Sequence, residues 1–315
     1  IRMSETRKID VIIPTYHPDE KLEKCLRMLK RQTVQPQRIL LINTEEEFFH
    51  SKVFSTLKQG EIIHITKPEF DHGGTRNQAA AMCDGEIMIL LTQDAIPADE
   101  HLIENLIKPF EDEEVCAAYG RQMADKKDNP VEAYTRIFNY PKESRIKSKE
   151  DLPKLGIKTF FCSNVCAAYR KSEYNALGGF PLHTIFNEDM IFAGKALLQD
   201  DYAVAYAAGA RVIHSHNYNC RQQFKRNFDL AVSQADHPEL FGCVRSESEG
   251  IRLVKSTAHF LIRRGKPWLV PGLVVKSGFK FLGYRAGKCY RLLPKWLILK
   301  LTMNREYWKK ACDRA

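Results

Sequence analysis

Short apolar segments alternate with amphipathic segments through the first two thirds of the chain. Most of the apolar segments are too short for a helix and end at polar or turn residues, which favours β-strands. The predicted strands are 9–13, 38–42, 61–66, 87–91, 115–119 and 203–213, and the predicted helices begin near Asp19 and cover 74–83, 98–110 and 188–197. This alternation predicts an α/β fold, in which helices cover both faces of a mostly parallel sheet.

The stretch 126–154 interrupts the alternation because it is polar and highly charged. We expect an insertion or a mobile loop there, at the edge of the site. Apolar sequence resumes over 159–169.

The C-terminal segment differs in charge from the rest of the chain. Residues 251–315 contain 16 Lys and Arg but 2 Asp and Glu, a balance of +14, whereas residues 1–250 contain 32 and 37, a balance of −5. Such asymmetry indicates a polyanionic partner, either nucleic acid or an anionic lipid surface. We therefore divide the chain into a body, 1–250, and a basic tail, 251–315.

One helical face of the tail is apolar and comprises Val275, Phe279, Leu282, Ala286 and Leu293. Basic residues lie off this face, which is typical of a helix that binds a membrane surface. Glycines weaken the helix in isolation, so we expect it to form on docking. The longest uncharged stretch, 267–275, has nine residues, whereas a membrane span needs ~20.

Two further observations concern location. The nine cysteines are scattered without CxxC spacing, which is typical of a reducing compartment. Asp10 interrupts the first apolar segment, so we expect no signal peptide. These observations predict a cytoplasmic protein, held peripherally at the inner face of the cell membrane by its tail.

Polar residues follow each of the first four predicted strands, and ligands bind beyond the carboxyl ends of strands in parallel α/β sheets. These residues are Pro14, Thr15 and Tyr16 after the first strand, Asn43 after the second, Asp71, Gly74, Arg76 and Asn77 after the third, and Thr92, Gln93 and Asp94 after the fourth. The glycine pair 73–74 either presents backbone N–H groups to a phosphate or makes a tight turn. Asp94 either faces the crevice or caps the next helix.

Four segments resemble family 2 inverting glycosyltransferases, which have the GT-A fold, and the resemblance covers about 9–216. The similar segments are the opening strand at 11–16, Arg76-Asn77 of the diphosphate-side helix, Thr92-Gln93-Asp94 at the DxD motif and Asn187-Glu188-Asp189 at the ED motif. Segments 70–77, 93–95, 214–218, 293–297 and 307–308 look most like bacterial rhamnosyltransferases. The resemblance implies a dTDP-L-rhamnose donor, a lipid-linked glycan acceptor and Mg²⁺ or Mn²⁺ as cofactor, in cell-wall or surface polysaccharide synthesis.

The resemblance also implies roles for individual residues. The strand-end residues other than Asp94 are expected to bind the donor nucleotide sugar. Asp189 is the expected general base, and Glu188 is expected to contact the acceptor. Asp94 with a divalent metal is expected to neutralise the leaving diphosphate, although Thr92 replaces the first aspartate of the DxD motif.

Four residues leave alternatives open. His214 directly follows the last strand and is expected to be a second metal ligand; alternatively, His214 or His216 only hydrogen-bonds within a turn. Arg226 either contacts the diphosphate or is a solvated helix arginine. Asn43 stands where relatives often carry Asp, which leaves open how it contacts the base or ribose of the nucleotide.

Other functions fit parts of the sequence. A family 2 transferase with a UDP-hexose donor fits the same motifs. Sugar nucleotidyltransferases carry a Gly-rich loop after the first strand, where this chain has Pro14-Thr15-Tyr16. The basic tail suggests a nucleic-acid-binding protein, but positive charge is confined to the tail, so we expect no nucleic-acid partner.

Overall fold

A computed structural model of the chain describes residues 7–199, 201–242 and 247–312. The strands of this part are β1 (Ile9–Tyr16), β2 (Arg38–Thr44), β3 (Gly60–Ile65), β4 (Ile87–Leu91), β5 (Ile96–Pro97), β6 (Val115–Met123), β7 (Arg145–Lys147), β8 (Cys166–Arg170) and β9 (Ala203–Ile213). The α-helices are α1 (Glu20–Leu29), α2 (His72–Ala81), α3 (Leu102–Ile107), α4 (Pro130–Asn139), α5 (Leu152–Leu155), α6 (Lys171–Ala176), α7 (Glu188–Gln199), α8 (Cys220–Asp236), α9 (Pro238–Phe241), α10 (Glu247–Arg263), α11 (Val270–Lys288), α12 (Lys295–Leu301) and α13 (Arg305–Cys312).

The strands form one mixed sheet in the order β3-β2-β1-β4-β8-β6-β9-β5, with β7 paired to β9. β3, β2, β1 and β4 run parallel, as predicted, and β9 runs parallel to β6. β8 runs antiparallel to both β4 and β6. The predicted α/β class is confirmed, but the reversal of β8 is not visible in the sequence, because a strand buried on both faces has the same apolar pattern in either direction.

Both faces of the sheet are covered. Val11 and Ile13 pack into one apolar cluster, and Ile12 between them packs into the other. Because side chains alternate along a strand, the two clusters lie on opposite faces. Every residue of β4 is buried. Polar side chains are therefore concentrated at the strand ends.

The segment 126–154 is ordered into elements, so the prediction of a mobile loop is wrong. It contains α4, β7 and α5. Asn129 caps α4 by accepting a hydrogen bond from Glu132 N, and the ring of Tyr134 stacks on Phe260 of α10 at 4.4 Å. No residue of α4 is fully buried, and charged residues flank the helix on both sides, which explains why the segment as a whole has the composition of a loop.

The tail packs against the body. α11 lies along α8, and a Cβ on Gly283 or Gly287 would collide with the carbonyl oxygens of Phe224 and Phe228. The glycines therefore allow close approach of the two helices, and α8 supports α11 without any docking partner. The predicted boundary at residue 250 lies inside α10.

The predicted apolar face of the tail is divided between two environments. Ala286 and Leu293 pack into a small apolar cluster with α8, and Leu293 lies beyond the end of α11. Val275, Phe279 and Leu282 are 54, 39 and 57 % exposed. Among the described residues, no helix has both the length and the apolar character needed to cross a membrane.

Candidate active site

The carboxyl end of the sheet brings Asp94 and two histidines together. Ile96 of β5 pairs with Ile213 of β9, which places the loop after β4 beside His214. Oδ2 of Asp94 lies 3.6 Å from Nε2 of His214 and 3.4 Å from Nε2 of His216. One ligand atom from each of the three residues lies within 4.8 Å of the others. A carboxylate and two imidazoles at this spacing fit a divalent transition-metal ion.

Gln122, near the end of β6, orients His214. Its Oε1 accepts hydrogen bonds from Nδ1 of His214 at 3.0 Å and from Nη1 of Arg136 at 2.6 Å, and its Nε2 donates to Ser163 Oγ at 2.9 Å. Nδ1 therefore carries the proton, and Nε2 keeps its lone pair toward Asp94. Burial lowers the pKa of His214 to about 3, so the imidazole is neutral at physiological pH, which is the form that binds a metal.

Asp94 is held as a carboxylate. Burial is the largest single effect and opposes its ionisation, but Thr92, Lys21 and the two histidines in their protonated forms act together against burial, and the pKa of Asp94 is lowered. Burial lowers the pKa of His216 against the attraction of Asp94. Asp94 caps no helix, because β5 follows it and α3 begins only at Leu102.

Asp189 lies in the first turn of α7, where two backbone N–H groups hold its carboxyl group. Asn164 N donates to Oδ2 at 2.9 Å, and Met190 N donates to Oδ1 at 2.8 Å. Burial, followed by the charge of Glu188, raises the pKa of Asp189 to about 7. A carboxyl group with this pKa exchanges a proton near neutral pH, as a general base must.

Glu188, unlike Asp189, has a cationic partner among the described residues. Its Oε1 lies 3.4 Å from Nη1 of Arg76 and accepts a hydrogen bond from Asn164 Nδ2 at 3.1 Å. Burial is the largest single effect and opposes the ionisation of Glu188, but Arg76, His72 and hydrogen bonds from Asn164 and the backbone together lower the pKa of Glu188. Both side chains are buried. The charge of Glu188 is thus balanced inside the protein by Arg76, and the acceptor contact expected from the sequence stays a prediction.

A hydrogen-bonded path joins the two carboxylate sites. It runs from His214 through Gln122 to Ser163. The next residue, Asn164, donates its backbone N–H to Asp189. The Asp94–His214–His216 cluster and the carboxyl group of Asp189 therefore lie around one crevice, at the carboxyl ends of β4, β6 and β9.

The ends of β1 and β2 are held by side chains that were predicted to bind a donor. Thr15 Oγ1 donates to Asn43 Oδ1 at 3.0 Å, and Asn43 Nδ2 donates to Glu45 O at 3.1 Å. Gln93 holds the backbone of Tyr16, because its Oε1 accepts from Tyr16 N at 2.9 Å and its Nε2 donates to Tyr16 O at 3.0 Å. Asn43 and Gln93 thus shape the crevice, whereas the Tyr16 side chain is exposed at its rim.

Four residues after β3 were predicted to bind the nucleotide sugar. Their polar groups make contacts inside the protein. Oδ1 of Asp71 accepts a hydrogen bond from Gly74 N at 2.6 Å. The N–H group that was expected to bind a phosphate therefore already has a carboxylate as its acceptor. Asn77 exchanges two hydrogen bonds of 2.9 Å with the backbone of Phe180. Arg76 is buried beside a carboxylate. Most of their hydrogen-bonding groups therefore have partners inside the protein, although Nε of Arg76 has none among the described residues, and their donor contacts stay predictions.

Arg226 is half-buried, so it is not a solvated helix arginine. Its guanidinium lies 4.7 Å from the ring centre of Phe186 and 5.9 Å from that of Tyr218. Burial lowers its pKa. Pro14 and Thr92 are half-buried at the ends of β1 and β4.

Sequence reasoning misses Gln122, Arg136 and Asn164. The predicted strand stops at residue 119, whereas β6 continues to Met123, so Gln122 is not recognised as a strand-end residue. Arg136 belongs to α4, and a search for amphipathic periodicity over 130–139 is the signal that would find it. Asn164 contributes a backbone N–H group, which side-chain patterns do not report.

Comparisons with known proteins agree with this architecture. A family model described as Glycosyl transferase family 2 matches residues 10–178. The chain is 42% identical over 305 residues to the O-antigen chain rhamnosyltransferase RfbN of Salmonella typhimurium, covering 96% of each chain. It is 40% identical over 303 residues to the O-antigen chain rhamnosyltransferase WbaN of Salmonella anatum, covering 95% of each.

Among solved structures, the chain is similar to the mannosyltransferase PcManGT from Pyrobaculum calidifontis in complex with GDP-Man and Mn²⁺. The TM-score is 0.54 at 15% identity, covering 99% of this chain and 87% of that one. At this identity the similarity shows the fold, and it confirms the GT-A expectation. Because the family model covers more than half of the chain and the two Salmonella relatives nearly all of it, the chain belongs to glycosyl transferase family 2.

Proposed function

We propose that the protein is an inverting rhamnosyltransferase, which moves L-rhamnose from dTDP-L-rhamnose to a lipid-linked glycan in surface-polysaccharide synthesis. The observation that carries this proposal is the position of the Asp94–His214–His216 cluster and of the half-buried Asp189 around one crevice. Both Salmonella relatives are named O-antigen chain rhamnosyltransferases, which supports the choice of sugar.

Asp189 is the general base of this reaction. As the acceptor oxygen bonds to the anomeric carbon, its proton passes to a carboxylate oxygen of Asp189. The bond from the anomeric carbon to the diphosphate oxygen breaks, and its electron pair leaves with the diphosphate. Attack opposite the leaving group inverts the anomeric configuration. The N–H groups of Asn164 and Met190 keep the carboxylate in position.

Asp94, His214 and His216 are the residues that fit a divalent ion. The fit rests on their spacing, on the lone pair that Gln122 leaves at Nε2 of His214, and on the ionised state of Asp94. A bound ion supplies positive charge that offsets the charge on the leaving diphosphate. Imidazole ligands favour Mn²⁺ over Mg²⁺.

A panel of donors tests this function. The purified protein is incubated with Mn²⁺, a lipid-linked glycan acceptor and either dTDP-L-rhamnose, UDP-glucose or UDP-galactose. We expect transfer from dTDP-L-rhamnose at least about tenfold faster than from either UDP-hexose, since a polar sugar pocket rejects sugars that leave its groups unpaired. Transfer from a UDP-hexose alone would replace the donor, and no transfer from any of the three would overturn the function.

The tail is proposed to hold the enzyme at an anionic membrane surface, the inner face of the cytoplasmic membrane. Val274, Val275, Phe281 and Leu282 lie on one face of α11 and are 54 to 57 % exposed. The tail also has a charge balance of +14. Each basic residue near an anionic surface contributes about 1 kcal/mol, so a few of them suffice for reversible binding.

Co-sedimentation with anionic vesicles tests the membrane proposal. Tail deletion is unsuitable because α11 packs on α8, so the test variant is the full chain with Val275→Asp and Leu282→Asp. Ile137→Asp with Ile146→Asp, two exposed apolar positions of the body, is the matched control. We expect the tail variant alone to lose binding. Equal binding by both variants would contradict the proposal.

A further inference from the structure

The packing of α11 on α8 places Lys280 beside the crevice. Gly283 packs against the backbone of Phe224, and Gly287 packs against that of Phe228. The two helices therefore run in the same direction, with a constant offset in residue number. Lys280 is one turn before Gly283 and therefore lies on the same face of α11. By this offset, it lies next to the first turn of α8.

Lys280 and Arg226 are both half-buried cations. In the described part of the chain, neither forms a hydrogen bond or an ion pair with a carboxylate. Burial lowers the pKa of Lys280, and Glu132 is the acidic group that most strongly opposes this effect. Oε1 of Glu132, however, already lies 3.0 Å from Nε of Arg136. Glu132 is thus shared by Lys280 and Arg136, and the carboxylate that acts on Arg226 is Asp189. Buried charges without close partners are unfavourable unless an anion joins them.

We propose that Lys280, with Arg226, binds a phosphate or diphosphate group at the edge of the active-site crevice. This inference rests on the proposed function, in which both substrates offer such a group. One source is the diphosphate of the donor, because Arg136 and His214 share Oε1 of Gln122. Arg226 also lies 5.9 Å from the ring centre of Tyr218, which stacks on His216. The other is the phosphate of the lipid carrier, because the opposite face of α11 is apolar and exposed. In either case, the tail completes the substrate-binding site.

Binding of inorganic pyrophosphate, measured by calorimetry with EDTA present, tests the site apart from the metal and the nucleotide. We expect Lys280→Gln to weaken binding about tenfold, because it removes a charge-assisted hydrogen bond. Lys280→Arg is expected to retain most of the affinity. The matched control is Lys266→Gln, which removes the same charge from an exposed position of the tail. Equal affinities for Lys280→Gln and Lys266→Gln would overturn the proposal.

Two further titrations identify the source of the phosphate. If Lys280→Gln weakens binding of thymidine diphosphate with Mn²⁺, the donor supplies the group. If it weakens binding to phosphatidylcholine vesicles that contain phosphatidic acid, the lipid carrier supplies it. The pyrophosphate result is independent of the donor panel: a wild-type chain that transfers no sugar refutes the proposed function, whereas the contrast between Lys280→Gln and Lys266→Gln still decides the anion site.

Discussion

Asp94 and Asp189 are the two carboxylates of the crevice, and their surroundings shift their pKa values in opposite directions. Asp94 faces the imidazoles of His214 and His216, and its pKa is lowered. Asp189 lies in a buried turn next to the charge of Glu188, and its pKa is raised to about 7. One side chain type thus acquires two chemistries, a permanently ionised ligand and a proton acceptor, from its environment alone.

The largest expected effect comes from removal of the base. Asp189→Asn keeps the size of the side chain but cannot accept the proton, so we expect kcat to fall about 10³-fold. Donor affinity, measured by calorimetry, should change little, because Asp189 acts on the acceptor. Near-normal kcat in a folded variant would refute the role of Asp189 as general base. The functional difference between Asp189 and Asp94 would then no longer hold.

Removal of the Asp94 carboxylate should mainly weaken metal binding. For Asp94→Asn we expect kcat/KM to fall about 10²-fold or more, with a parallel loss of Mn²⁺ affinity. His216→Ala, tested the same way, establishes whether the half-buried histidine is a ligand. Unchanged Mn²⁺ affinity in both variants would exclude the cluster as the metal site.

A smaller effect is expected from the residue that orients His214. Gln122→Leu removes the acceptor that holds the proton on Nδ1, so we expect Mn²⁺ affinity to fall about 10- to 100-fold. The acidic limb of the pH–rate profile, which reports Asp189, should stay where it is. A shift of that limb would show that the two sites are coupled through Ser163 and Asn164.

The smallest effect concerns pH. Asp189 must be ionised to accept a proton, so kcat/KM should rise with pH through about 7 and then level off. The charge of Glu188 raises the pKa of Asp189, so Glu188→Gln should lower it, and the variant should keep a larger fraction of its maximal rate at pH 6. An unchanged profile would assign the acidic limb to another group.

Local patterns predicted much of the fold. The strands β1 to β4 and β9 lie within a few residues of their predicted positions, because each apolar run ends at polar residues. The segment around α4 was predicted poorly, because the charged residues of 126–154 mask the helical spacing of Val131, Tyr134 and Phe138. The tail glycines were interpreted from intrinsic helix propensity, whereas Gly283 and Gly287 reflect packing against α8.

The sequence by itself determined the alternation of strands and helices, the polar strand ends, and the selection of Asp94, Asp189 and His214 as candidates, because periodicity and short motifs are local. Only the tertiary structure decided the reversal of β8, the joining of His216 to Asp94, and the inward direction of Arg76 and Asn77. These depend on partners that are distant in the chain, and a side chain's hydrogen bonds, burial and pKa follow from those partners.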